Sequence, residues 1–142
     1  RTWRPQELLD AVLIDAPCSG LGVIRRHPEG IWRRDPKDLA RFPATQRALV
    51  DAAAAMLKPG GRLIYEVCTP APEEGRDVVE AAIRDGAWRR LPVKAEEAPG
   101  FAHALTAEGD LLTAPAPEQI AAETEAPQTR SDVFFIARLE RS

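Results

Sequence analysis

The sequence predicts an α/β fold with parallel strands at its centre, and three observations lead there. Val12-Leu13-Ile14-Asp15 and Arg62-Leu63-Ile64-Tyr65-Glu66-Val67 are short apolar runs bounded by turn residues. Strands buried on both faces read this way. A helical pattern lies between them, so the order is strand, crossover, helix, strand, which lays the two strands parallel. Each strand then enters a turn with a cysteine: Cys18 in Ala16-Pro17-Cys18-Ser19-Gly20, and Cys68 in Cys68-Thr69-Pro70. If the strands are neighbours, both thiols reach the carboxyl edge of the sheet, where open α/β sheets bind ligands.

The elements follow in order. Residues 1–10 form a lead-in, with Trp3 and Leu8-Leu9 as packing anchors, and the first strand is expected over 11–15. Residues 16–43 are rich in Gly, Pro and Arg, and a connection of that length is usually functional. Within it Asp35 can cap a short helical turn with Pro36 at its first position. Phe42, Gln46, Leu49, Ala53, Met56 and Leu57 recur at helical spacing, all apolar except Gln46, and predict a helix over 43–57. Lys58-Pro59-Gly60-Gly61 ends it. The second strand is expected over 62–67. Pro72-Glu73-Glu74 opens a helix over 72–85, with acids at its positive end and Asp85-Gly86 as the stop. Trp88–Val93 is a further strand. The Ala/Pro/Glu-rich residues 95–129 read as an irregular, mobile insertion in which only Leu111-Leu112-Thr113 looks strand-like. Asp132–Leu139 is the final strand.

Bulk properties narrow the class. A chain of 142 residues with 44% hydrophobic and 29% charged content suits one globular domain. No apolar run approaches the ~20 residues of a membrane span, no signal-peptide pattern opens the chain, and two cysteines are too few for a disulfide scaffold. These observations predict a cytoplasmic protein with reduced thiols. The net charge of −3 hides an asymmetry: residues 1–47 hold nine Lys/Arg against six Asp/Glu, whereas residues 95–129 hold seven acids and no base. A basic front half suits a polyanionic partner, and Arg25, Arg26, Arg33 and Arg34 concentrate it.

Asp15-Ala16-Pro17-Cys18 places an acid at a strand end and a thiol in the next turn. The carboxylate can accept from an amino or ring N–H of a flat heterocycle that the thiol faces. Cys18 taken alone reads better as a small buried residue. Cys68 lies between a strand end and a helix start, where the helix dipole lowers a thiol pKa. Two thiols at the carboxyl ends of two strands point to chemistry more strongly than either does. Gly20-Leu21-Gly22 is a lone G-x-G with no helix signal behind it, and is not read as a dinucleotide loop. His27 and His103 stand at no ligand-like spacing from the thiols, so no metal is expected.

The run Asp15-Ala16-Pro17-Cys18-Ser19-Gly20-Leu21-Gly22, Arg25-Arg26-His27-Pro28-Glu29, Trp32-Arg33-Arg34, Leu57-Lys58-Pro59-Gly60-Gly61, Val67-Cys68-Thr69-Pro70 resembles the catalytic half of the Sun/Fmu-type (RsmB/NOP-like) RNA cytosine-C5 methyltransferases. Pro72-Glu73-Glu74 and Phe134–Leu139 fit too, and only 95–129 falls outside. The resemblance implies the C-terminal half of a Rossmann-like class I methyltransferase sheet, with an antiparallel final strand. It also implies S-adenosylmethionine as co-substrate and RNA, above all rRNA, as partner. Cys68 would add to cytosine C6, Cys18 would assist release, and Asp15 would orient the base. Asp15 and Pro17 would touch the cofactor, and Arg25, Arg26, Arg33 and Arg34 would meet RNA phosphates. A base must fit between the sulfurs in the working enzyme, so the α-carbons of Cys18 and Cys68 are expected at or somewhat above the roughly 4.4–6.8 Å of a disulfide.

Two motifs depart from the family pattern. Glu66 and Val67 replace a small hydroxyl residue and Thr before the nucleophile, and Gly75 replaces Asn after Pro72-Glu73-Glu74. A carboxylate beside Cys68 would raise its pKa, and alternation along the strand puts Glu66 on the face of Cys68. The family's glycine-rich cofactor loop, ribose-binding acid and catalytic lysine precede the Pro-Cys motif. The 142 residues are therefore expected to be the C-terminal part of a catalytic domain, inactive alone. Two other functions fit the same residues: an amino-group methyltransferase using Asp15-Ala16-Pro17 as a clamp, and a non-catalytic RNA-binding relic.

Overall fold

The structure is a computed structural model that describes residues 3–33, 35–114 and 131–142. Its elements are β1 (Leu9–Asp15), α1 (Gly30–Arg33), α2 (Pro36–Ala54), β2 (Leu57–Val67), α3 (Arg76–Arg84), β3 (Trp88–Arg90), β4 (Leu111–Leu112) and β5 (Phe135–Arg141). One sheet runs in the order β1-β2-β5-β3, and β4 also pairs with β5. β1 and β2 are parallel neighbours, as the sequence predicts. β5 runs antiparallel to β2, also as expected, and β3 antiparallel to β5.

Alternation along the strands gives the sheet two unlike faces. Leu57, Leu63, Tyr65 and Val67 of β2 and Phe135, Ala137 and Leu139 of β5 are buried with Val50 and Ala53 of α2 and Val78, Val79 and Ala82 of α3. The residues between them point the other way and stay half-exposed. Leu13 of β1, opposite Ile64 in the register, is 64% exposed. Both described long helices thus cover one face.

Several boundaries differ from the sequence expectation. α2 starts at Pro36 and runs through Pro43. Asp35 caps it, its Oδ1 accepting from Lys37 N–H at 2.9 Å. The turn read as separate is the first turn of the long helix. β2 begins at Leu57, pairs there with Leu9, then loops out through Lys58–Gly61 before Arg62 meets Ala11. Gly60 sits at φ +75° in that excursion. α3 starts at Arg76 because Gly75 lies against the Phe135 ring with non-helical backbone, so Pro72–Gly75 form turns instead.

The insertion is the largest correction. Residues 95–114 hold more regular structure than the strand-like Leu111-Leu112-Thr113 alone. They form two short 3₁₀ turns, a bridge from Leu105 to Leu111, and β4. Arg90 pairs with buried Asp110 and with Glu80, and Arg138 pairs with Glu97 at 2.8 Å. Residues 115–129 of that expectation lie outside the described residues. No described helix is long and apolar enough to cross a membrane.

Candidate active site

The register sets the site. Asp15, the last residue of β1, stands opposite Glu66. The chain then turns through Ala16-Pro17 while Cys68 directly follows β2, and the two sulfurs come to 3.3 Å. Both are free, half-buried thiols; a disulfide would need about 2.05 Å. The expectation of a gap between the sulfurs is not met. They touch, so a base reaches both only from the open side of the pair.

Short bonds tie the two turns together. Ser19 Oγ donates to Thr69 Oγ1 at 3.1 Å, and Ala71 N–H donates to the same oxygen at 3.2 Å. Gly22 N–H donates to the Cys68 carbonyl at 2.9 Å. Glu74, fully buried, accepts at Oε2 from Ser19 N–H at 2.8 Å and from Gln46 Nε2 at 3.1 Å. Gln46 Nε2 also donates to the Pro17 carbonyl at 3.0 Å. Tyr65 OH donates to the Glu74 carbonyl at 2.5 Å. Sequence reasoning missed this layer. Its visible trace was Gln46, the single polar residue on the apolar stripe of α2.

Burial shapes the electrostatics of the site. Burial, then the hydrogen bond with Cys68, pushes the Cys18 thiol up to about 12. Cys18 therefore stays protonated near neutral pH, in contact with the other sulfur, and either thiol can be the donor. The dipole argument for Cys68 does not carry over, because α3 begins only at Arg76. Burial first, and then Asp15, raise the Glu66 carboxyl above its ordinary value. Val67 is fully buried on the helix-covered face, where a valine packs without a polar group to satisfy.

The other expected site residues divide. Asp15 and Pro17 are exposed at the carboxyl edge. Arg25 and Arg26 both pair with Asp132, Arg25 at 3.4 Å, with side chains 42% and 54% exposed. Asp132, far along the chain, was not among the partners weighed for them from sequence, Glu29, Asp35 and Asp38. Arg33 ends α1, and Arg34 lies outside the described residues. Among the described residues no three His, Cys, Asp or Glu side chains converge as a metal site.

The sequence matches the family described as 16S rRNA methyltransferase RsmB/F over residues 1–140. Ribosomal RNA small subunit methyltransferase B of Salmonella newport (strain SL254) is 44% identical over 82 residues, covering 58% of this chain and 19% of that protein. The same enzyme of Salmonella typhi matches to the same extent. Among solved structures, PH0851 superposes with a TM-score of 0.72 at 31% identity, covering 94% of this chain and 27% of its own. NSun6 from Pyrococcus horikoshii, solved with SFG, gives 0.66 at 27% identity, covering 95% and 30%. The chain spans about a fifth of the length of the curated relatives it matches.

Proposed function

The chain belongs to the 16S rRNA methyltransferase RsmB/F family, whose members use S-adenosylmethionine, and we propose that the protein carrying it methylates cytosine C5 in RNA through a covalent adduct with Cys68. One observation carries this: two free thiols 3.3 Å apart at the carboxyl ends of parallel neighbouring strands. Cytosine C5 is a poor nucleophile. A Cys68 thiolate adding to C6 moves electron density onto C5, which then takes the methyl group from S-adenosylmethionine and releases S-adenosylhomocysteine. A base removes the C5 proton, the double bond re-forms, and the C6–S bond breaks. Cys18, protonated and in contact, returns a proton to the departing sulfur. The exposed carboxylate of Asp15 accepts from the cytosine amino group or protonated N3. Arg25, Arg26, Arg33 and Arg34 meet RNA phosphates, and rRNA in the cytoplasm is the substrate this proposal favours.

The residues present fit the edge of a cofactor site. Asp15 and Pro17 are exposed where the ligand crevice of an open α/β sheet lies. We propose that the domain continues past β1, which is an edge strand here, and that the continuation covers the face bearing Leu13 and supplies most cofactor contacts. On this basis the isolated 142 residues do not bind S-adenosylmethionine tightly. Tight binding in a calorimetric titration would refute that.

The deciding experiment uses the full-length protein and RNA. Cys68→Ala is expected to abolish methylation and leave no covalent RNA adduct. Cys18→Ala is expected to form the adduct and trap it. Trapping by Cys68→Ala but not by Cys18→Ala would make Cys18 the nucleophile. Undiminished methylation by Cys68→Ala would favour amino-group transfer, and RNA binding without any methylation by wild type would favour a binding relic.

A further inference from the structure

We propose that Glu74 is a positioning residue for the reaction: its buried carboxylate fixes the turn of Cys18 against the turn of Cys68 and so sets the contact between the two sulfurs. The inference rests on the assignment of Cys18 and Cys68 as the reacting pair. Glu74 touches neither sulfur, yet its bonds end within one residue of Cys18 on either side. Oε2 accepts directly from Ser19 N–H at 2.8 Å. It also holds Gln46 Nε2 at 3.1 Å, and that amide donates to the Pro17 carbonyl at 3.0 Å. Ser19 continues to Thr69, next to Cys68, at 3.1 Å. From below, Tyr65 OH grips the Glu74 carbonyl at 2.5 Å, and Gly75 lies against the Phe135 ring. One side chain thereby joins the turn after β1, helix α2, strand β2 and the turn before α3.

The same cluster is poorly built for stability alone. Glu74 Oε1 and Gln46 Oε1 are buried without a hydrogen-bond partner among the described residues. A buried acceptor left unmade costs stability, and an apolar pair of like shape would avoid that cost. A carboxylate here gains what an apolar pair cannot: one oxygen that receives Ser19 N–H from one side of Cys18 and the Gln46 amide that holds Pro17 on the other.

The test compares Glu74→Met with Glu74→Gln in the full-length protein. Methionine keeps the length and removes the acceptor; glutamine keeps one carbonyl oxygen for Ser19 N–H and Gln46 Nε2. Glu74→Met is expected to lower kcat by about 10- to 100-fold, the scale for a small misplacement of reacting groups, with KM for RNA within about twofold. Glu74→Gln is expected to restore most of kcat. Thiol spacing is read separately with phenylarsine oxide, whose arsenic takes both sulfurs and releases one water. Glu74→Met should bind it about tenfold more weakly, because the pair is no longer pre-organised. Unchanged kcat and unchanged arsenical binding in folded Glu74→Met would overturn the proposal, as would a loss confined to KM or one that glutamine fails to restore. If Glu74→Met does not fold, Thr69→Val breaks the Ser19–Thr69 link instead and must show the same two losses, or the proposal falls. A Cys18→Ala variant that traps no adduct with cytosine RNA would defeat the reaction assignment, while arsenical binding would still decide the spacing.

Discussion

Replacing Gly22 by alanine tests whether the turn after Cys18 is as tightly packed as the structure indicates. A Cβ at Gly22 would lie 1.9 Å from the Val133 carbonyl oxygen, 2.8 Å from its carbon and 3.0 Å from the Cys68 carbonyl oxygen. Ordinary contact begins at 3.4 Å, so the nearest gap must open by about 1.5 Å. All three obstacles are backbone atoms and cannot rotate away. Overpacking of this kind costs about 1–3 kcal/mol. Gly22 also bonds both neighbours, donating to Cys68 at 2.9 Å and accepting from Val133 N–H at 3.0 Å. Losing one of those bonds adds about 1 kcal/mol. The stiffer unfolded chain offsets up to about 1 kcal/mol. The net expectation is a loss of about 2–3 kcal/mol, or roughly 5–10 °C in Tm. A urea titration should show a lower midpoint with an unchanged slope. A loss below about 0.5 kcal/mol would refute the close approach, because surface substitutions alone give that much.

Arg25→Gln with Arg26→Gln should weaken RNA binding and flatten its salt dependence by about two in slope; an unchanged slope in filter binding, with stability lost because Asp132 is left unpaired at 8% exposure, returns both arginines to a structural role. Arg90→Met strands buried Asp110 and should cost about 3 kcal/mol at pH 7 in urea. Burial already raises the Asp110 carboxyl, opposed by Arg90. The deficit should therefore shrink as pH falls and Asp110 takes a proton; a pH-independent deficit would place the loss in packing. Cys18 carries a raised folded-state pKa, from 9.0 to about 12. Its stabilisation is full below 9.0 and is lost as pH rises through about 12. Cys18→Ala should remove that share of the alkaline decline in wild-type stability, and an unchanged slope would contradict it.

The strands and their directions were legible because buried runs and turn residues are local signals. Long-range partners were not. Asp132 is separated from Arg25 by 107 positions, and no local pattern pairs them. The insertion looked irregular because it lacks apolar periodicity, yet two ion pairs, Arg90–Asp110 and Arg138–Glu97, hold it. Glu74 read as an acid facing a helix start. Gly75, pressed on Phe135, delays the helix and turns Glu74 inward. Gly20-Leu21-Gly22 leads into a single 3₁₀ turn, Leu21–Val23. Its glycines serve a left-handed turn at φ +63° and a close backbone approach.

The two halves of the candidate site are held by bonds of different strength, and this bears on how RNA would enter. The thiol turns are fixed by buried bonds through Glu74, Gln46, Ser19 and Thr69. Breaking one without replacement costs about 1–3 kcal/mol per stranded group. Arg25 and Arg26 are held by ion pairs with exposed guanidiniums, and such pairs contribute roughly 0–1 kcal/mol. Asp132, only 8% exposed, is shared by both arginines, so a phosphate can take one of them while the other keeps that acid paired, whereas no charged ligand can easily shift the sulfurs. Binding would then reorganise the basic loop while the reacting pair keeps its geometry. That separation lets affinity for RNA and the rate of the chemical step be altered independently, Arg25 and Arg26 governing the first and Cys68, Cys18 and Glu74 the second.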